Sequence, residues 1–242
     1  MRIDEYERMR QVEETHWRYV AMRRLISMAL AKHGHGEGGL VLDLGCGTGE
    51  NLKNFGGARS AGLDLSAEAL RLCATKGEHR LIQGELAALP FANACARTVL
   101  CIDVLYHASI PSPDKALREM ARVLQPGGVL VIVAPAFDWL SGPHDAVVDG
   151  GRRFTPTQLR RLVEDAGLAT THLTCWLSLL MPLVWLKRRL TPDSHTPKSD
   201  LEEAPGPVLN AMLLGIMAVE RALLRRVSLP VGTSILCVAR KP

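Results

Sequence analysis

The stretch Leu40-Val41-Leu42-Asp43-Leu44-Gly45-Cys46-Gly47-Thr48-Gly49-Glu50 decides the reading of this chain. A short apolar run carries one acid and then enters a loop with glycine at every second position. Such a run reads as a strand buried on both faces. Glycines directly after it let the backbone turn sharply and approach a ligand closely, because they carry no Cβ. The residues after the glycines read as helical, so the loop ends at a helix N-terminus, which favours negative groups. Alone, a loop of this kind is compatible with a plain tight turn. A second acid sharpens it. Asp64 closes the next apolar run, residues 60–65 (SAGLDL). An acid about 20 residues beyond a glycine loop is placed to accept hydrogen bonds from ribose hydroxyls. The two features together point to a ligand that contains adenosine.

Outward from this stretch the pattern alternates. Residues 66–77 read as a helix with Ser66 as N-cap. Residues 80–84, 98–105 and 129–135 read as strands, and a helix from about 111 ends at Pro126-Gly127-Gly128. Strands alternating with helices predict an α/β, doubly wound, mostly parallel sheet. Upstream, Tyr6, Met9, Val12, Val20, Leu25 and Ile26 recur at helical spacing, so residues 1–39 are expected to form a helical arm ending in a glycine-rich break. The cofactor-binding core is expected over 40–135 and a substrate-facing half over 136–242. In that half, Thr155 and Pro156 open a helix, a polar Pro-rich loop covers 191–207, an amphipathic helix covers 208–226, and a final strand covers 233–239.

The chain has 242 residues, with 47% hydrophobic and 22% charged, which suits one globular domain and excludes disordered and collagen-like classes. Aromatic residues are 5% and the net charge is +4, too little aromatic surface and too mild a charge to call for nucleic acid, so no nucleic-acid partner is expected. The six cysteines form no CxxC pair, so no metal site is expected, and a reducing cytoplasm is the simplest compartment. The charged N-terminal stretch has no apolar core, so no secretory signal is expected.

The dinucleotide fingerprint spaces its glycines GxGxxG, whereas here the spacing is GxGxG with Glu50 in the third glycine's place. An acid there is poor company for a pyrophosphate and better suited to a ligand with an ammonium and a sulfonium. In order, residues 41–52 (VLDLGCGTGENL), 62–66 (GLDLS), 84–91 (GELAALPF), 99–108 (VLCIDVLYHA) and 117–135 (LREMARVLQPGGVLVIVAP) resemble the successive motifs of class I S-adenosylmethionine-dependent methyltransferases. The resemblance implies a seven-stranded sheet with the last strand antiparallel and a helical insertion, 177–230, before it. It implies S-adenosyl-L-methionine as cofactor and S-adenosyl-L-homocysteine as product. By position, Asp43, Gly45, Cys46, Gly47 and Gly49 would line the methionine moiety and ribose. Asp64 would hold the ribose hydroxyls, Leu65 would pack on the adenine, Glu85 and Leu86 would stand near its amino group, and Asp103 would face the methyl-transfer site. Glu85 stands where the family usually has Asp.

A narrower resemblance covers nearly the whole chain. Residues 13–26 (EETHWRYVAMRRLI), His144-Asp145 and Arg152-Arg153-Phe154-Thr155 are similar to a bacterial subgroup with an N-terminal His-Trp arm and an Arg-Arg-Tyr-Thr run. Its members act mostly in cell-envelope or natural-product pathways. This chain departs from it at Gly150, where the subgroup has a second His, and at Phe154, where it has Tyr. The expected acceptor is a small molecule with an apolar body. The alternatives are a lipid-linked or prenyl-bearing acceptor at a membrane surface, and a non-catalytic cofactor-binding partner subunit.

On the acceptor side, His107 and His144 are the candidate general bases, since an imidazole can take a proton at neutral pH. Trp17, Tyr19, Tyr106 and Trp176 are candidate substrate contacts, and Arg152 and Arg153 are candidate forks for a carboxylate or phosphate. Residues 175–190 (CWLSLLMPLVWLKRRL) read in two ways. The favoured one is a strand followed by a buried helix that roofs the pocket. The other is a membrane-interface segment anchored by Trp176 and Trp185, which would make the protein cytoplasmic but membrane-peripheral.

Overall fold

Successive residues of the central strands point into two different cores. Leu42, Val99, Cys101, Leu130, Ile132, Ile235 and Cys237 enter one. Their neighbours Val41, Leu100, Val129, Val131, Leu236 and Val238 enter the other. Side chains alternate across a strand, so a sheet covered on both faces needs apolar residues at nearly every position. That is why these strands read as unbroken apolar runs.

The computed structural model describes residues 3–34, 39–57, 59–77, 80–142, 150–190 and 205–242. The strands are β1 (Leu40–Leu44), β2 (Ser60–Asp64), β3 (Arg80–Gln83), β4 (Ala96–Ile102), β5 (Leu124–Pro135), β6 (Ala169–Trp176) and β7 (Ser234–Arg240). They form one sheet in the order β3-β2-β1-β4-β5-β7-β6. Pairings among β1 to β5 are parallel, and β7 runs antiparallel to both β5 and β6. This is the class I, Rossmann-like methyltransferase fold. The helices are α1 (Ile3–Val12), α2 (Trp17–His33), α3 (Ala67–Ala74), α4 (Pro113–Val123), α5 (Pro156–Asp165), α6 (Met181–Leu190) and α7 (Pro207–Leu224). Residues of α4 and α5 pack into the first core, and residues of α2 and α7 into the second.

Four details differ from the sequence reading. The arm is two helices rather than one, because His16 takes extended backbone and caps α2, its Nδ1 accepting the Arg18 N–H at 3.3 Å. Strand β5 begins at Leu124 instead of 129, since Pro126-Gly127-Gly128 forms a bulge against β4 where Ala96 pairs with Leu124 and Thr98 with Val129. Trp176, expected at a pocket or membrane surface, is sealed in the second core. Helix α6, expected as a buried roof, leaves Pro182, Leu183, Trp185 and Leu186 exposed.

Local caps agree with the sequence. The Ser66 hydroxyl accepts from the Ala69 N–H, and Thr155 and Gln158 form a reciprocal capping box ahead of Pro156. Thr155→Ala removes the hydroxyl half of that box at the start of α5 and leaves the half in which Gln158 Oε1 accepts the backbone N–H of residue 155. It is expected to lower stability by about 1 kcal/mol, read as a lower denaturation midpoint with an unchanged slope.

Candidate functional site

Strand β1 lies between β2 and β4, and the chain reverses its direction of travel across the sheet there. In an open parallel sheet, the crevice beyond the carboxyl ends of the strands at such a point is where ligands bind. The glycine loop leaves β1 at that crevice. Gly45 has φ +79° and a Cβ on it would lie 2.4 Å from Val104 Cγ2, while Gly49 has φ +87° and a Cβ there would lie 2.3 Å from Cys73 Sγ. Both positions therefore require glycine twice over, for backbone conformation and for space.

Asp64 organises the crevice. Its Oδ2 accepts the Gly47 N–H at 2.9 Å and its Oδ1 accepts the Ser66 N–H at 2.9 Å. The N–H groups of Gly45 and Cys46 both donate to the Leu63 carbonyl, at 2.6 and 3.0 Å. One carboxylate thus ties the loop to the start of α3. A carboxylate oxygen accepts more than one hydrogen bond, so Asp64 keeps capacity for ligand hydroxyls. Beyond it Leu65 is 49% exposed, Glu85 is exposed and Leu86 is buried. An exposed leucine flanking the acid provides a flat apolar surface at the rim. Cys46 is buried, and hydrogen bonding with Cys73 together with burial pushes its thiol well up, so it stays neutral.

Asp43 is fully buried, and neither carboxylate oxygen has a hydrogen-bond partner among the described residues. Burial, and secondly the nearby charge of Asp64, push its carboxyl up to about 7. A buried carboxylate without a partner is costly. Behind a backbone cradle with no room for side chains, it is a place that donors or positive charge on a ligand would relieve.

The arm covers this crevice. Met9 Cε lies 3.3 Å from where a Cβ on Gly47 would be. Thr48 Oγ1 donates to Glu13 Oε2 at 2.6 Å, and Lys76 Nζ is paired with Glu13 and, at 2.9 Å, with Glu50 Oε2. Tyr6 is buried against Ala69 and Leu72, and burial followed by the charge of Asp64 raises its phenol to about 12. The tie between Glu13, Glu50 and Lys76 was not legible in the sequence, because the three come from an arm, a loop and a helix end far apart along the chain. At the start of α2, Arg18 Nη2 meets Asp103 Oδ2 at 3.2 Å, and Asp103 itself has φ +52°. The Trp17 N–H donates to Asn210 Oδ1 at 2.8 Å and Asn210 Nδ2 donates to the Thr15 carbonyl at 3.0 Å, so α7 holds the joint between α1 and α2. Tyr19 packs beside the second core, and burial pushes its phenol up.

After β4, Tyr106 and His107 stack with ring centroids 4.3 Å apart. His107 forms a bridge with Gly150, and the Gly151 N–H donates to the Tyr106 carbonyl at 2.9 Å. The Gly150 departure therefore lies directly beside the histidine candidate. A Cβ on Gly151 would come within 2.8 Å of Ala108 Cα, which shows how closely the two segments run. Arg152 is half-buried, Arg153 Nη1 donates to the Ala136 carbonyl at 3.1 Å, and Phe154 is buried in the first core. Arg153 thus braces the end of β5. His144 and Asp145 lie outside the described residues.

Residues 42–132 match the family model described as "Methyltransferase domain". The chain is 32% identical over 132 residues to the Arabidopsis thaliana tRNA (carboxymethyluridine(34)-5-O)-methyltransferase, a match covering 54% of this chain and 31% of that protein. It is 35% identical over 104 residues to the malonyl-[acyl-carrier protein] O-methyltransferase of Pectobacterium atrosepticum, covering 42% of this chain and 40% of that protein. The chain thus spans under half the length of these curated relatives. Among solved structures, a chain of the Haloferax volcanii complex containing the Trm112 methyltransferase activator superposes with a TM-score of 0.62 at 22% identity, covering 98% of this chain and 94% of that one. These findings correct the expectation that nucleic acid is excluded as a partner class: a tRNA methyltransferase is among the relatives, matching 54% of this chain. A mild net charge describes the whole surface on average and says nothing of a local one.

The raised Asp43 carboxyl has a consequence for stability. Between its ordinary value of 3.8 and about 7, the unfolded chain releases the proton while the folded chain keeps it. Stability of the ligand-free protein therefore falls as pH rises through that window and levels off above it. Asp43→Asn is expected to flatten this slope in denaturant unfolding. Relative to the parent it gains stability above neutral pH, by up to about 4 kcal/mol.

Proposed function

We propose that this chain is a methyltransferase that uses S-adenosyl-L-methionine. The observation that carries the reading is the pair of buried acids at the crossover: Asp64 holding the glycine loop, and Asp43 behind it with no partner among the described residues. The residues present fit the cofactor. The free lone pairs of Asp64 suit ribose hydroxyls, the exposed Leu65 suits an adenine face, and the glycine loop with Asp43 suits the methionine moiety with its positive groups. When bound, the cofactor supplies an electrophilic methyl group on a sulfonium and leaves as S-adenosyl-L-homocysteine.

The chain's own residues then bind, orient and exclude water. The arm closes over the loop through Met9, Thr48 and Glu13, and Arg18 closes it over Asp103. Displacement at a methyl carbon depends mainly on holding the nucleophile in line and close, which a closed crevice favours. His107, held by its bridge to Gly150 and its stack on Tyr106, is the residue suited to take a proton from a hydroxyl or acidic carbon.

For the acceptor, the reading is a small molecule with an apolar body. The matched relatives include a tRNA methyltransferase and a malonyl-[acyl-carrier protein] O-methyltransferase, so the family match over 42–132 leaves the acceptor open. Outside the matched 42–132 region, the 150–154 segment runs beside Tyr106 and His107, which lie within it. A tRNA acceptor is the second reading, favoured by the name of the Arabidopsis relative. The test is incubation with isotopically methyl-labelled cofactor and, in parallel, a host metabolite extract and total tRNA, followed by mass spectrometry. Label in an apolar metabolite supports the first reading, and label in tRNA replaces it with the second. Tight cofactor binding with no labelled product reduces the chain to a binding subunit. Asp64→Ala is expected to weaken cofactor binding at least thirtyfold, the equivalent of about 2 kcal/mol; unchanged affinity by calorimetry overturns the ribose assignment.

A further inference from the structure

Helix α7 is built inside out for a helix on a protein surface. Its only acid, Glu220, is fully buried, and Glu220 Oε2 accepts the Leu179 N–H at 2.9 Å. Met217 and Leu224 join it on the buried side, against α2 and the second core. The opposite side carries Val208, Met212, Gly215, Val219 and Leu223, spaced by three or four residues, all exposed and none of them polar. Val208 is 74% exposed, Met212 62% and Val219 64%. A surface helix normally turns charged and polar residues to solvent. A continuous apolar stripe in that position marks an interaction surface.

The charges around the stripe indicate what covers it. At its C-terminal end Arg225 and Arg226 are exposed, and Arg221 lies close enough to Arg24 and Arg225 for their charges to depress its own ionisation, after the effect of burial. The sequence of α6 carries Lys187, Arg188 and Arg189 just before its last residue and has no acid. Ahead of that basic run, Trp185 is 40% exposed and Leu183 and Leu186 are exposed beside it. An apolar stripe with arginines at its end and no exposed acid on its own helix matches an anionic lipid surface. A second copy of this chain fits less well, since a two-fold interface sets a patch against itself and would bring these cations together.

We propose that the outer face of α7, with the exposed side of α6, docks this protein on an anionic membrane surface. By length and composition α7 is apolar enough to cross a bilayer, with a mean hydropathy of 1.5 over 18 residues. It lies on the surface instead, because one side is committed to the protein: Glu220 holds the turn before α6, and Asn210 holds the Thr15–Trp17 joint of the arm. Only the opposite stripe is available to lipid. The same Asn210 contact makes α7 a neighbour of the arm that closes the crevice, so the docked face and the mouth of the site share one element. The proposal stands independently of the methyltransferase reading.

The test uses the full chain and vesicles of phosphatidylcholine with and without phosphatidylglycerol. The protein is expected to sediment with the anionic vesicles, more weakly as salt rises. It is expected to stay in solution with the neutral ones. The double variant Met212→Asp, Val219→Asp is expected to lose membrane partition about tenfold or more. Its cofactor affinity, measured in the same preparation, is expected to be unchanged and reports that the fold is intact. Absence of sedimentation overturns the proposal, as does equal sedimentation of parent and variant or equal partition onto both vesicle types. So does a stable dimer by light scattering that the variant dissolves while neither protein sediments. Loss of cofactor binding by the parent would overturn the methyltransferase reading and leave the vesicle result standing.

Discussion

Asp64 is the residue on which the site depends. Its two carboxylate oxygens take the N–H of Gly47 from the loop and the N–H of Ser66 from the start of α3. Hydrogen bonds from backbone N–H groups to an ionised carboxylate are among the stronger ones available to a protein. Here they hold the glycine loop against β2 at the point where the sheet changes direction. Every other feature of the crevice depends on that closure: Gly45 pressed on Val104, Gly49 pressed on Cys73, and Asp43 enclosed without a partner among the described residues.

The arm completes what Asp64 begins. Glu13 reaches the loop through Thr48, and Lys76 joins Glu13 to Glu50 in a nearly enclosed cluster. Two carboxylates around one ammonium, largely shielded from water, make a tie that is costly to break by removing one member. Arg18 does the same work at the other end of the crevice by pairing with Asp103. Because Asn210 of α7 grips the joint between the two arm helices, the substrate-facing half and the cofactor-facing half are mechanically connected through the arm. A helix whose one acid faces inward and whose outer stripe is apolar is thereby attached to the element that covers the site.

Strands β1, β2, β4 and the 129–135 part of β5 were legible because burial on both faces leaves no alternative to nearly continuous apolar runs. The caps at Ser66 and Thr155 were legible because a hydroxyl satisfying an N–H two or three residues on is a local event. The Pro126-Gly127-Gly128 bulge was misread as the end of a helix, since a turn and a bulge use the same residues. Trp176 and α6 were misread for a common reason. Apolar composition tells that a residue avoids water but not which surface it avoids water with, so Trp176 went to the core while Leu183 and Leu186 stayed outside.

By itself the sequence determined the doubly wound sheet, the glycine loop at its crossover, and the two acids that accompany the loop. These depend on periodicity and on residues close together in the chain, where spacing is geometry. Only the tertiary structure decided that the arm lies over the loop through Glu13 and Lys76, that Arg153 braces the end of β5, and that His107 stands beside Gly150. It also decided that the one acid of α7 points inward and its apolar stripe outward. These pairings join residues from 17 to 63 positions apart. No local pattern encodes a partner at that distance, because what selects it is the packing of whole elements against the sheet.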